Sequence, residues 1–340
     1  MNSYLEFFQT ELGPYLGSRT RKPLRQQLQD IRMLWARYRS IPYHYFKHRL
    51  YERTARPDFV DYLPANLIRY FRRSCNPPSL LHILNDKRET VRILAGKGIR
   101  CVDTLFSITA DGIVRRDDGA PVEADAAADA LRNHGGVLFM KPIDSRGGFG
   151  ASSIASDRVD AALIRSMRNV VIQPALRNHP VLEALHPVTL NTVRVCTFLE
   201  QGRCSIIAAF LRVARGSAMV DNLSQGAIAI GIDLASGALN ESGITLAKHG
   251  RRIFPVHPDT GVQFAAVRLP WWRETLELAE HAALGLAPHS TLGLDIAITP
   301  EGPVFVEANG AGDIVSPQEA CGPLGSTRLG RRVIAHWLRK

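Results

Sequence analysis

One stretch, LGLDIAITPEGPVFVEANG (292–310), concentrates the residues able to do chemistry. Two apolar strands flank the turn Pro300-Glu301-Gly302, which reads as a hairpin loop. If that loop has three residues, Thr299 pairs with Pro303 and Asp295 falls directly opposite Glu307. Period-two alternation then puts Asn309 on the face of Glu307. Ile296, Ile298, Val304 and Val306 would bury the other face, while Ala297 and Phe305 make the carboxylate face partly apolar. Two carboxylates opposed in this way repel each other, so a positive charge between them is expected. The donors Asp295, Glu307 and Asn309 offer only oxygen, which suits a hard cation, Mg²⁺ or Mn²⁺, rather than zinc. The plain alternative is an exposed hairpin with solvated charges, against which the apolar neighbours count.

Two further segments carry candidate cations. In VLFMKPIDSRGGFGASSI (137–154) an apolar strand delivers Lys141, followed by Arg146-Gly147-Gly148-Phe149-Gly150. Glycines let backbone N–H groups approach phosphate oxygens, and Lys141 adds a point charge beside them. Read alone, this is equally a Gly-rich hairpin with an edge lysine. In NTVRVCTF (191–198) alternation turns Arg194 away from Val193 and Val195, as a clamp for a phosphoryl group or carboxylate, or as a simple ion-pair partner. No Ser/His/Asp or Cys/His constellation is visible.

The elements that must position these groups follow from texture. Residues 1–78 read as short helices, LRQQLQDIRMLWARYRS, YHYFKHRLYERT and LPANLIRYFRRSC, punctuated by prolines. Leu24, Leu28, Ile31, Leu34 and Tyr38 recur at three and four residues and predict a buried stripe with an Arg-rich opposite face. From residue 79 a helix ending at Gly96 or Gly98 precedes short strands, a helix near 159–168, further strands and a helix through 272–284. Short turns between strands predict antiparallel pairing in an α+β architecture. The expected division is 1–78, 79–174 and 175–340.

Composition bounds the partners. The 340 residues carry a net charge of +10, but residues 1–100 hold 19 Lys and Arg against 8 Asp and Glu, so the whole excess lies there. Without long basic runs or a recognisable nucleic-acid module, this favours solvated arginines or an anionic substrate or partner over a nucleic-acid or acidic-membrane surface. Only seven of the 42 basic residues are Lys, so a lysine inside an apolar strand is conspicuous. No apolar run approaches a membrane span, the N-terminus lacks a secretory pattern, and five cysteines without a CxxC fit a reducing cytoplasm.

The order of parts resembles the ATP-grasp superfamily: Lys87 at a helix start, Lys141 before a Gly-rich hairpin, an apolar strand ending in a polar hinge, an Arg-led strand, then Asp-x₁₁-Glu-x-Asn. More narrowly, HPVLEALHPVTLNTVRVCTF, VDNLSQGAIAIGID and LGLDIAITPEGPVFVEANG look like its sugar-transfer-associated branch, over about residues 79–315. The resemblance implies two α/β lobes sandwiching ATP, beside the N-terminal helical subdomain. By the same resemblance Lys87 and Lys141 reach the ATP phosphates, and Arg146, Gly147, Gly148 and Gly150 form the loop over them. Gln173 stands at the adenine hinge, with the backbone of Ala175–Leu176 reading adenine because Pro174 has no N–H. Asp295, Glu307 and Asn309 match the magnesium ligands, and Arg194 matches the basic residue near the transferred phosphoryl. The ribose position, commonly a carboxylate, is taken by His179 or Glu183. Asn191, Asn222, Ser224 and Gln225 are the substrate-binding candidates. The implied activity is an ATP- and Mg-dependent carboxylate–amine ligase that forms an amide through an acyl phosphate. The alternatives are a kinase-like phosphotransferase and a non-catalytic binding module.

Overall fold

Every strand pair among the described residues is antiparallel, beyond the largely antiparallel sheet that the short turns predict. The computed structural model describes residues 7–144, 150–310 and 313–340. β1 (Phe106–Ile108), β2 (Val114–Arg116), β3 (Val137–Pro142), β4 (Ser152–Ala155) and β5 (Val170–Pro174) form a five-stranded sheet in the order β2–β1–β5–β3–β4. A second sheet joins β6 (Thr192–Glu200), β7 (Arg203–Val213), β8 (Ile228–Ile232), β9 (Leu239–Ile244), β10 (Ile253–Phe254), β11 (Thr291–Thr299) and β12 (Gly302–Asn309). Its order is β10–β9–β8–β7–β6–β11–β12.

Each sheet buries an apolar face under helices. Phe106, Ile108, Leu138 and Ile172 pack with Ala127 and Leu131 of helix Ala124–His134 and with Ile164 of helix Ala161–Ser166. The latter helix starts where the Asp160 side chain accepts from the Leu163 N–H at 2.7 Å, satisfying an end donor. In the larger sheet Val193, Val195, Leu292, Leu294, Ile296 and Ile298 enter a core completed by helices Trp272–Gly285 and Lys87–Ala95. Strand alternation therefore turns Arg194 and Asp295 to the opposite face. Asp86 caps helix Lys87–Ala95 through the Arg88 N–H, and Gly96 follows its last residue, as expected.

The cores are shared between segments distant in the chain. Leu84, Val91, Leu94 and Val102 belong to the core of the larger sheet, so the smaller lobe's core begins near Phe106. The N-terminal helices share theirs with the chain's last helix, Arg328–Leu338: Leu34, Leu67 and Phe71 meet Phe198, Leu329 and Val333.

The stripe expected on helix Leu24–Tyr38 is buried only in part, with Ile31 half-buried against the core. Leu34 and Tyr38 are buried, but the other inward positions are Gln27 and Asp30, while Leu24 and Leu28 face solvent. Asp30 accepts from Lys22 Nζ at 2.8 Å and from the Tyr45 hydroxyl, and Gln27 bonds the Lys22 carbonyl and Tyr15. With these partners the polar residues go inside and roll the helix away from the leucine side. The segment YHYFKHRLYERT holds only a four-residue helix, His44–Lys47.

The hairpin differs in its turn. Thr299 pairs with Gly302, so the loop is Pro300–Glu301, one residue shorter than expected. A bulge then leaves Val306 unpaired between Phe305 opposite Ile296 and Glu307 opposite Asp295. The bulge restores the register of the two carboxylates. The shorter loop sends Phe305 into the core beside Ile296, and the bulge leaves Val306 half-buried, reversing the faces expected for those two residues.

Candidate active site

Three adjacent strands set one row of charges, Arg194 on β6, Asp295 on β11 and Glu307 on β12, each paired with its neighbour. Asp295 is buried. Arg194 donates to it from Nε and from Nη2 (3.1 Å), and Arg212 Nη2 stands 3.0 Å from Oδ2. Burial alone would raise the Asp295 pKa, but Arg194 and Arg212 outweigh it and hold the carboxyl below its ordinary range. The positive charge that the opposed carboxylates require is thus supplied, on the Asp295 side, by two guanidiniums. Gly293 makes room for one of them, since an added Cβ would sit 3.1 Å from Arg194 Cδ and Nη1.

The network extends through Arg212 Nε to the Thr192 hydroxyl (3.1 Å), and Thr192 donates from its backbone N–H to Asp221 at 2.8 Å. Arg212 Nε also lies 3.5 Å from Asp221 Oδ2. Two carboxylates and two guanidiniums balance within this buried chain. Glu307 borders it, touching Asp295 side chain to side chain and accepting from Asn309 Nδ2 at 3.2 Å. A cavity of about 280 Å³ covers this face, walled by Arg194, Arg212, Asn222, Ser224, Glu307 and Asn309. Glu307 and Asn309 therefore fit a hard cation by donor type and by position. Asp295 could join them only by giving up an arginine.

Two lysines approach this face, Lys141 from β3 of the smaller sheet and Lys87 from the start of helix Lys87–Ala95. Lys141 is buried at the end of β3; burial lowers its pKa to about 8, the Glu307 carboxylate opposes that shift, Lys87 reinforces it and Asp295 opposes it. Those influences place Lys141 within electrostatic reach of the carboxylate row and of Lys87. Lys87 Nζ donates to the carbonyls of Pro142 and Ile143, 3.3 Å each, where β3 ends. Arg146, Gly147 and Gly148 lie outside the described residues. Gly150 has φ +76°, and a Cβ there would meet the Pro142 ring at 3.0 Å, so the position favours glycine twice over.

Other candidates scatter. Gln173 is buried with Nε2 3.4 Å from the Thr104 hydroxyl. The Ala175 N–H already donates to the Val137 carbonyl at 2.9 Å, which leaves Leu176 as the next N–H along the hinge. His179 caps helix Pro180–Glu183 by accepting the Val181 N–H on Nδ1, whereas Glu183 is exposed. Asn191 is fully buried and its Nδ2 donates to the carbonyls of Leu182 and His186, so it shapes the loop behind Arg194 rather than lining the cavity. Asn222 and Ser224 do line it, and Gln225 is exposed. Among the described residues no group of three or more His, Cys, Asp or Glu side chains assembles.

Arg212, Asp221 and Asn76 were not singled out by sequence reasoning. Asn76 Nδ2 donates to the carbonyls of Thr291 (2.6 Å) and Gly310 (2.9 Å), and its Oδ1 accepts from the N–H groups of Ser290 and Thr291. It ties the start of β11 to the end of β12. Arg212 had one available signal, a guanidinium in the apolar run SIIAAFLRVA.

The family described as sugar-transfer associated ATP-grasp matches residues 66–328. No curated protein matches the chain in sequence. Among solved structures, the ATP-grasp ligase PsnB complexed with minimal precursor is similar at 17% identity and TM-score 0.45, covering 79% of this chain and 67% of that one. D-alanyl-alanine synthetase A from Vibrio cholerae gives 14% and 0.48, covering 78% and 68%. The L-amino acid ligase from Bacillus licheniformis gives 11% and 0.37, covering 68% of this chain and 41% of that one, so this chain spans less than half of that ligase.

Proposed function

The chain belongs to the sugar-transfer associated ATP-grasp family, and from that premise we propose that it is an ATP-dependent carboxylate–amine ligase. The observation that carries the reading is that buried Lys141, on the smaller sheet, lies within electrostatic reach of Glu307 and Asp295 on the larger one. Lys141 comes from the smaller sheet, Lys87 from the helix whose start meets the end of β3, and Glu307, Asn309 and Arg194 from the larger sheet, where they wall one cavity. Polyphosphate needs cations that neutralise charge, and acyl transfer needs them aimed at the transferred group.

Each residue then has a task set by its surroundings. Buried Lys141 gains most from a phosphate, because its ammonium is desolvated in the free protein. Lys87 holds the end of β3 and would turn to phosphate from there. Arg194, fixed by Asp295 on one side, borders the cavity and would steady the transferred phosphoryl or the substrate carboxylate. Asn222 and Ser224 would orient substrate from the cavity wall. A bound Mg²⁺ or Mn²⁺, held by Glu307 and Asn309, would supply charge neutralisation to the nucleotide. The acyl phosphate would form at this cavity and an amine would displace phosphate from it.

The test is ADP release across a panel of carboxylates and amines, with hydroxylamine as a trap and mass spectrometry of products. ADP release that depends on a carboxylate and yields its hydroxamate supports the proposal. ADP release with a phosphorylated hydroxyl and no hydroxamate would make the protein a phosphotransferase instead.

A further inference from the structure

The roll of helix Leu24–Tyr38 leaves an apolar stripe on its outside. At about 100° per residue, Leu24, Leu28 and Trp35 fall within an arc of roughly 40°. Leu24 is 70%, Leu28 58% and Trp35 52% exposed, and the turn that follows adds Ile41 and Tyr43, both exposed. The helix cannot turn this stripe inward. Its other face is fixed by the Lys22–Asp30 ion pair, by Gln27, and by the Trp337 indole N–H donating to the Tyr38 carbonyl at 2.8 Å.

Beside the stripe runs a row of arginines. Arg25 and Arg32 lie seven residues apart on the helix, and Arg39 follows its last turn with its guanidinium 4.9 Å from the Trp35 ring. Among the described residues no carboxylate comes within 4 Å of any of the three. The stripe also sits in the third of the chain that holds its entire positive excess. Leucine and tryptophan flanked by arginine is the pattern of a helix lying in a headgroup layer, where the apolar side enters the acyl boundary and the cations meet anionic lipid.

We propose that this face docks the protein onto an anionic phospholipid surface, with helix Leu24–Tyr38 lying in the plane of the headgroups. Charge argues against the rival occupants. A second copy meeting this face by two-fold symmetry would bring like arginine rows together. A nucleic acid would match the arginines but leave Leu24 and Leu28 in water. Docking is peripheral, since no helix among the described residues is long and apolar enough to cross a membrane.

The full chain is sedimented with vesicles of phosphatidylcholine alone and of phosphatidylcholine with about one-third phosphatidylglycerol, at low and physiological salt. Binding at least about tenfold tighter to the anionic vesicles is expected, weakening as salt rises. Two variants separate the contributions. Leu28→Glu/Trp35→Glu removes the apolar contact and Arg25→Gln/Arg32→Gln/Arg39→Gln removes the charge. Each should lower binding at least about tenfold without changing the melting temperature, because the substituted side chains face solvent. Equal binding to both vesicle types, or none to either at physiological salt, overturns the proposal. So does a concentration-dependent dimer that Leu28→Glu/Trp35→Glu abolishes, which would assign the stripe to a second copy. None of these readouts depends on ligase activity.

Discussion

Arg194 and Asp295 are register partners on β6 and β11, joined by two hydrogen bonds inside a chain of alternating charge that continues through Arg212 to Asp221. Glu307, one strand further on, is the carboxylate left facing the cavity. The two opposed acids therefore carry different burdens. Asp295 holds arginines in place, and Glu307 is available to bind.

Substitution should separate those burdens. Asp295→Asn leaves the largely buried Arg194 guanidinium without its paired carboxylate and Arg212 with only Asp221, and the expected loss of stability is about 3–5 kcal/mol. Glu307→Gln removes a carboxylate from a cavity wall and should change stability by less than about 1 kcal/mol while abolishing ATP turnover. Urea unfolding beside an ADP-release assay reads both. Because the Asp295 pKa is held low, its contribution is complete above the ordinary aspartate range near pH 4 and is lost as pH falls through the native value. Equal stability losses for the two variants would refute this division. Full turnover in excess EDTA would refute the expected metal requirement.

Lys141 should make nucleotide binding depend on pH. In the free protein it releases its proton near pH 8, whereas the unfolded chain keeps it to about 10.5. The penalty of the buried charge is therefore full below pH 8 and fades as pH rises toward 10.5. Phosphates would restore the proton, so ATP binding at pH 8.5 should take up protons. Calorimetry in two buffers of different ionisation enthalpy would show this. Lys141→Met should lose the uptake and roughly ten- to over a hundred-fold in affinity, the effect of one charge-assisted contact. Lys141→Arg should not recover it, because a planar fork does not replace a compact ammonium. Wild-type affinity in both variants would remove Lys141 from the nucleotide site.

How far the sequence could be read depended on the range of each interaction. The opposition of Asp295 and Glu307 was legible because it arises within one hairpin, although the shorter loop and the bulge at Val306 were not. Arg194 could be read as leaving an apolar strand, but its partner lies 101 residues away and Asn76 acts over 215. No local pattern announces such contacts. Helix Leu24–Tyr38 was misread in part for a related reason. Hydrophobic periodicity assumes that polar residues stay outside, and Lys22, Tyr45 and Tyr15 supply partners that let Asp30 and Gln27 go in.

A buried histidine should make the protein sensitive to acid. Neither ring nitrogen of His44 has a hydrogen-bond partner, and its ring packs edge-on to Tyr38 with centroids 5.6 Å apart. Burial, reinforced by His48, lowers its pKa from 6.5 to about 3. The unfolded chain therefore binds a proton near pH 6.5 that the native state refuses, and stability falls by roughly 1.4 kcal/mol per pH unit between those values. His44→Phe keeps the aromatic contact and removes the titration. Its unfolding free energy should vary less between pH 7 and 4 than that of the wild type, and identical profiles would contradict the assignment.

Asn76 should prove a donor that no isostere replaces. Its Nδ2 faces the Thr291 and Gly310 carbonyls while its Oδ1 accepts from two N–H groups, all in a buried setting. Asn76→Ala would leave these backbone groups without partners, at about 1–3 kcal/mol for each group that water cannot reach. Asn76→Asp matches the shape and retains the acceptor, yet it points a carboxylate oxygen at two carbonyl oxygens. The aspartate variant should therefore be at least as unstable as the alanine variant at neutral pH. Both should lose ATP turnover, because Gly310 directly follows Asn309 and an untied β12 end loosens the pair Glu307 and Asn309. Urea unfolding of the three proteins at pH 7 gives the order. Wild-type stability in Asn76→Asp would show that only the acceptor matters, and that the link from Nδ2 to the strand end does not hold the site in place.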